Sequence, residues 1–153
     1  VLALTDGSRQ YRFLHLATHG LLNIEQPQFS GLLFSAPDGG SAYWQTFEIF
    51  QAHIPAETVV LSACETGLGK VIRGEGLVGL ARAFLYAGAQ RVCGSLWKVA
   101  DESTPPLMQE FYAALRRGEA PARAMQRAQQ TLLQQGTWSH PYFWAPFVLL
   151  GRG

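Results

Sequence analysis

Two residues of this 153-residue chain stand out by chemistry, the imidazole of His19 and the thiol of Cys64. A thiol becomes a strong nucleophile once ionised, and an imidazole beside it takes the proton or holds the thiolate electrostatically. The same imidazole then protonates a departing amine, a role worth about 10²–10⁴-fold in rate. Gly20 follows His19 directly, and its missing side chain lets backbone approach a substrate closely. The N–H groups of Gly20 and Cys64 are therefore the candidate oxyanion hole. Against this stands a plainer expectation, that a cysteine at the end of an apolar strand is a small core residue. Cys93, inside a strand without polar company, reads that way. His15 reads as a buried histidine satisfied within its strand, and His53 and His140 fall in turns with no assigned role. No CxxC pair joins the histidines in a closed zinc ligand set, so neither metal nor cofactor is expected.

The elements that must position these groups follow from apolar patterning. Tyr11 to Ala17 (YRFLHLA) reads as a buried strand opening into a loop at Thr18-His19-Gly20. Residues 31–34 and 42–44 flank a glycine-rich turn and form a hairpin. Thr46 is placed to cap a short helix ending near Ala52. Thr58 to Ala63 (TVVLSA) is a β-branched apolar run of the kind buried in parallel sheets, ending at Cys64 and a glycine-rich loop. A helix from about Glu75 keeps a 3.6-residue period through Leu77, Leu80, Ala81, Phe84 and Leu85, with Gly88 as C-cap. Gln90 to Trp97 is the next strand. Two helices follow, one with Leu107, Met108, Phe111, Tyr112 and Leu115 on one face and stopping at Gly118. The other starts at Pro121 and carries Ala124, Met125, Ala128, Thr131 and Leu132. Tyr142 to Leu150 reads as a last strand with Pro146 at an edge or bulge. Strands alternating with helices give an α/β fold with a mostly parallel sheet, whose ligands bind beyond the C-terminal strand ends. If the strands ending near His19 and Cys64 are neighbours, imidazole and thiol meet at one rim.

The two residues are 64 − 19 = 45 apart, close to the roughly 50 of caspases, whose local pattern is Gln-Ala-Cys-x-Gly. Here Ser62-Ala63-Cys64-Glu65-Thr66-Gly67 keeps the Ala-Cys pair and brings glycine one residue later. The stretches HLATHG (15–20), LSACETGLGKVIRGEGLVGLARAFLYAGAQRVCGSLWKVADEST (61–104) and HPYFWAPFVLLG (140–151) resemble the CHAT family, caspase-like domains related to caspases, gingipains and separases and often joined to TPR repeats. LMQEFYAALRRGEAPARAMQRAQ (107–129) fits the family's paired-helix region, so the likeness covers nearly the whole chain. It implies a caspase-like three-layer sandwich, with the catalytic dyad on His19 and Cys64. Ala17 matches the family's small residue two before the histidine. The first strand and helix of the full fold are not visible, so residues 1–153 read as a single peptidase domain cut from a longer chain.

The acidic pair Asp101-Glu102 lies just past the strand that ends at Trp97. In related peptidases this loop lines the pocket for the residue before the cut, and a buried Asp101 carboxylate is expected to favour Lys or Arg. The alternative, left open, is an acid at a helix N-terminus beside a Ser103 cap. The loop Gly67-Leu-Gly-Lys70 is not a Walker A loop, because Cys64 and Val71 stand where glycine and Ser or Thr are required. Residues 67–76 read instead as a flexible loop beside the nucleophile. The aromatic cluster Trp138, Tyr142, Phe143 and Trp144 reads as packing.

Composition sets the outer bounds. A net charge of +1 gives no reason to expect nucleic acid or an anionic membrane as partner. Apolar residues at 48% suit one domain with a substantial core, and no apolar run approaches the roughly 18 residues of a membrane span. Two cysteines make no disulfide framework, which suits a reducing, cytoplasmic setting. Two functions remain: a cysteine endopeptidase acting on protein substrates, regulated by TPR or other partner domains, and a signalling or interaction module that keeps the scaffold without cleaving.

Overall fold

The computed structural model describes residues 9–23, 25–36, 39–67 and 75–152, with backbone alone for 63–67 and 75–76. The expected flexible loop after the nucleophile therefore falls largely outside the described residues. The chain divides into two compact units, residues 1–97 with 149–152, and residues 98–148.

The first unit is built on strands β1 (Tyr11–Leu22), β2 (Gly31–Ser35), β3 (Ser41–Gln45), β4 (Ala56–Gly67) and β5 (Arg91–Ser95). With β6 (Phe147–Gly151) they form one sheet in the order β3-β2-β1-β4-β5-β6. β1, β4 and β5 are parallel, and β2 and β3 form the expected antiparallel hairpin. The Arg152 N–H donates to the Gln90 carbonyl at 3.0 Å, so β6 ends beside the start of β5 and runs against it. The architecture is α/β, a mixed six-stranded sheet with helices.

Helix α1 (Thr46–Gln51) lies beside helix α2 (Glu75–Tyr86). Their apolar faces build the core with Leu14, Leu16, Leu32, Val59 and Leu61, all buried. Trp44 meets Phe84 edge to face at 5.6 Å. α2 closes as its glycine suggests: the Gly88 N–H reaches Leu85 O and the Ala89 N–H reaches Phe84 O, with Gly88 at φ 116°. That is a Schellman cap, which needs a left-handed residue. The cap on α1 differs from expectation. Gln45 is the N-cap, its N–H donating to Glu48 Oε2 at 2.7 Å. Thr46 instead donates from Oγ1 to Ser30 O at 2.7 Å, because the Gly31–Gln45 rung sets those two residues opposite each other.

The second unit pairs α3 (Thr104–Arg116) with α4 (Pro121–Gln134). Leu107, Met108, Phe111, Ala114 and Leu115 are buried on one helix, and Ala124, Met125, Ala128 and Leu132 on the other. Gly118 ends α3 with the same cap geometry as Gly88. Ser103 precedes α3 but its hydroxyl caps nothing; it turns back to Ala100 O at 3.3 Å. The reason lies in the sequence: Pro105 and Pro106 occupy the second and third helical positions, so the N–H groups a cap would satisfy do not exist. Residues 142–150 are not one strand. Pro141–Trp144 forms a short helix, α5, in which the Tyr142 N–H donates to His140 Nδ1 at 3.2 Å, and β6 begins only at Phe147. Gln129 Nε2 donates to Trp144 O at 3.2 Å and Phe147 O at 3.0 Å, tying that connection to α4.

Candidate functional site

β1 and β4 run side by side in parallel over eleven rungs, from Tyr11–Ala56 to Leu22–Gly67. The offset is 56 − 11 = 45, the same number that separates His19 from Cys64, so these two residues share a rung. Adjacent strands lie about 4.8 Å apart. The strand bodies differ in burial. Thr58, Val59, Val60 and Leu61 are at most 2% exposed, as a central parallel strand requires. β1 alternates instead: Leu14, Leu16 and Gly20 are buried, while His15, Ala17 and His19 are exposed.

Two expectations change here. Neither reactive residue sits in a loop, because β1 continues to Leu22 and β4 to Gly67, each supplying the other's backbone partners. His15 is not a core histidine. It lies exposed on the same alternation as His19, and partial desolvation lowers its imidazole pKa below the ordinary 6.5. Cys93 is buried as expected, and burial pushes its thiol up to about 12.

Gly20 sits within the ladders, with Leu32 of β2 on one side and Glu65 of β4 on the other. The Cys64 backbone stands opposite His19, and its side chain lies outside the described residues. Asp101 belongs to the second unit, exposed in the turn before α3 rather than buried. Among the described residues no three His, Cys, Asp or Glu side chains converge on one ion position. No helix among them is long and apolar enough to cross a membrane.

Two side chains near His19 were not singled out from sequence. The Thr18 hydroxyl donates to the Leu33 carbonyl. Tyr43 donates from its phenol to Phe29 O at 2.5 Å and lies 3.5 Å from Leu21 O, holding the β1–β2 connection; burial raises its pKa. A hydroxyl next to a reactive histidine was visible in the sequence, but its acceptor belongs to another strand.

A mixed six-stranded α/β sheet with parallel central strands is consistent with a caspase-like scaffold. The CHAT domain profile matches residues 1–152, and the chain belongs to that family. It is also similar to tetratricopeptide repeat protein 28 of Homo sapiens, 34% identical over 104 residues, which is 68% of this chain and 4% of the relative. The Mus musculus protein of the same name matches with the same identity and coverage. The chain thus spans about 4% of the length of these curated relatives.

Proposed function

We propose that this chain is a cysteine endopeptidase domain that cleaves protein substrates with a His19–Cys64 dyad. The observation carrying this reading is the shared rung of His19 and Cys64 in the parallel β1–β4 ladder. His19 takes the Cys64 thiol proton as sulfur bonds to the scissile carbonyl carbon and the carbonyl π pair moves onto oxygen. The oxyanion collapses to a thioester while His19 passes that proton to the departing amine. Water then attacks the thioester, giving a proton to His19, which returns it to sulfur as the acid leaves. The Gly20 and Cys64 amides hold the oxyanion in both halves. Gly20 has strand neighbours on both sides at present, so those strand ends must part before its amide faces a substrate. That supports an enzyme held off until a partner domain acts. The TPR repeats named in the relatives are the class of partner we assign to the longer protein. The profile runs across both compact units, which supports one functional domain. Two cysteines without a disulfide framework support a reducing, cytoplasmic setting.

The unbroken ladder through His19 and Cys64 favours a second reading, an interaction module that does not cleave. Peptidyl acyloxymethyl ketones ending in Arg or Asp, applied to the full-length protein, separate the two. The peptidase labels at Cys64, and His19→Ala slows labelling at least about 100-fold. Labelling indifferent to His19→Ala leaves the module ahead, and preference for Asp over Arg removes the expectation of cleavage after Lys or Arg.

A further inference from the structure

β1 is held from two sides, unequally. Its pairing with β4 spans eleven rungs, whereas its pairing with β2 has three: His19–Leu33, Gly20–Leu32 and Leu21–Gly31. The β2 ladder begins at His19, so the strands fork immediately before the reactive histidine. Ladders fray at their ends, and a three-rung ladder is nearly all end. Thr18 stands at the fork. Its hydroxyl donates to the carbonyl of Leu33, the residue opposite His19, adding a side-chain tether where the β2 rungs stop. A β-branched side chain has few χ1 choices in a strand, so the hydroxyl is directed with little ordering cost.

We propose that Thr18 is a positioning residue for His19: by bonding the Leu33 carbonyl it closes the β1–β2 fork and sets where the imidazole leaves the sheet relative to Cys64. This rests on the dyad reading above. A displacement of about 1 Å in a reacting group costs up to 10²-fold in rate; loosening one tether of several is assigned about tenfold.

The test is the pH profile of Cys64 alkylation by iodoacetamide in the intact protein, followed by mass spectrometry of the Cys64 peptide. Near pH 6 a thiol reacts quickly only if an imidazole holds its thiolate, whereas near pH 9.5 any exposed thiol is ionised. Thr18→Val, which keeps the shape and removes the hydroxyl, should slow alkylation about tenfold at pH 6 and leave it within twofold at pH 9.5. Thr18→Ser should restore the pH 6 rate to within threefold of wild type. Equal losses at both pH values, no loss at pH 6, or failure of the serine variant to rescue overturns the assignment. Should Thr18→Val not fold by circular dichroism, Thr18→Ala is read by the same ratio of rates at 10 °C. His19→Ala reacting like wild type at pH 6 removes the dyad itself, an outcome distinct from an effective His19 that ignores Thr18.

Discussion

Gly31→Ala should be among the most damaging single-methyl changes in the first unit. A Cβ at this position would lie 2.2 Å from Trp44 O, 2.8 Å from Gln45 Cα and 2.9 Å from Trp44 C. Non-bonded carbons rest about 3.5–4.0 Å apart, so β2 and β3 must separate by an ångström or more. All three neighbours are backbone atoms, and no rotamer change moves them aside. Gly31 is also the rung that joins β2 to both Leu21 of β1 and Gln45 of β3. Overpacking of this kind costs about 1–3 kcal/mol, and a rigid backbone obstacle places it near the upper end. At about 2–4 °C per kcal/mol for a chain this long, the midpoint falls by about 6–12 °C. Thermal unfolding followed by circular dichroism measures it. Gly79→Ala is the control, because an added Cβ there meets nothing within 4 Å and α2 gains a better helix former. It should raise the midpoint by about 1–3 °C. A Gly31→Ala midpoint within 2 °C of wild type would refute the close-approach reasoning.

Three further outcomes follow from buried or partly buried groups. Cys93 is buried and its thiol is pushed up to about 12, so native alkylation at about pH 7.5 should leave it unmodified until denaturant is added. His15 has a folded pKa below its unfolded value. The stability it contributes is present above about pH 6.5 and is lost as pH falls through the lower folded value, and His15→Asn should flatten that part of a denaturation–pH profile. Among the described residues, Thr58 Oγ1 is a buried hydroxyl without a hydrogen-bond partner. Thr58→Val should therefore stabilise by about 1 kcal/mol in urea titration, and a loss of similar size would show the hydroxyl is satisfied.

The sequence by itself determined whatever depends on neighbours in the chain. The periodic faces of α2, α3 and α4, the glycine caps at Gly88 and Gly118, and the β2–β3 hairpin come from local spacing and backbone freedom. So does the pairing of positions 19 and 64 as candidates, since each falls at the end of a strand-like run. Other features were decided between segments distant in sequence. Periodicity does not separate a short apolar helix from a strand; residues 141–144 are helix, with Trp144 O held by Gln129 Nε2 of α4. The ends of β1 and β4 continue as strands through His19 and Cys64 because each finds backbone partners on the other, forty-five residues away. The acceptor of the Thr18 hydroxyl likewise exists only once β2 lies alongside. A strand's hydrogen bonds are satisfied by another strand, so the register that sets the candidate dyad on one rung is a property of the assembled sheet.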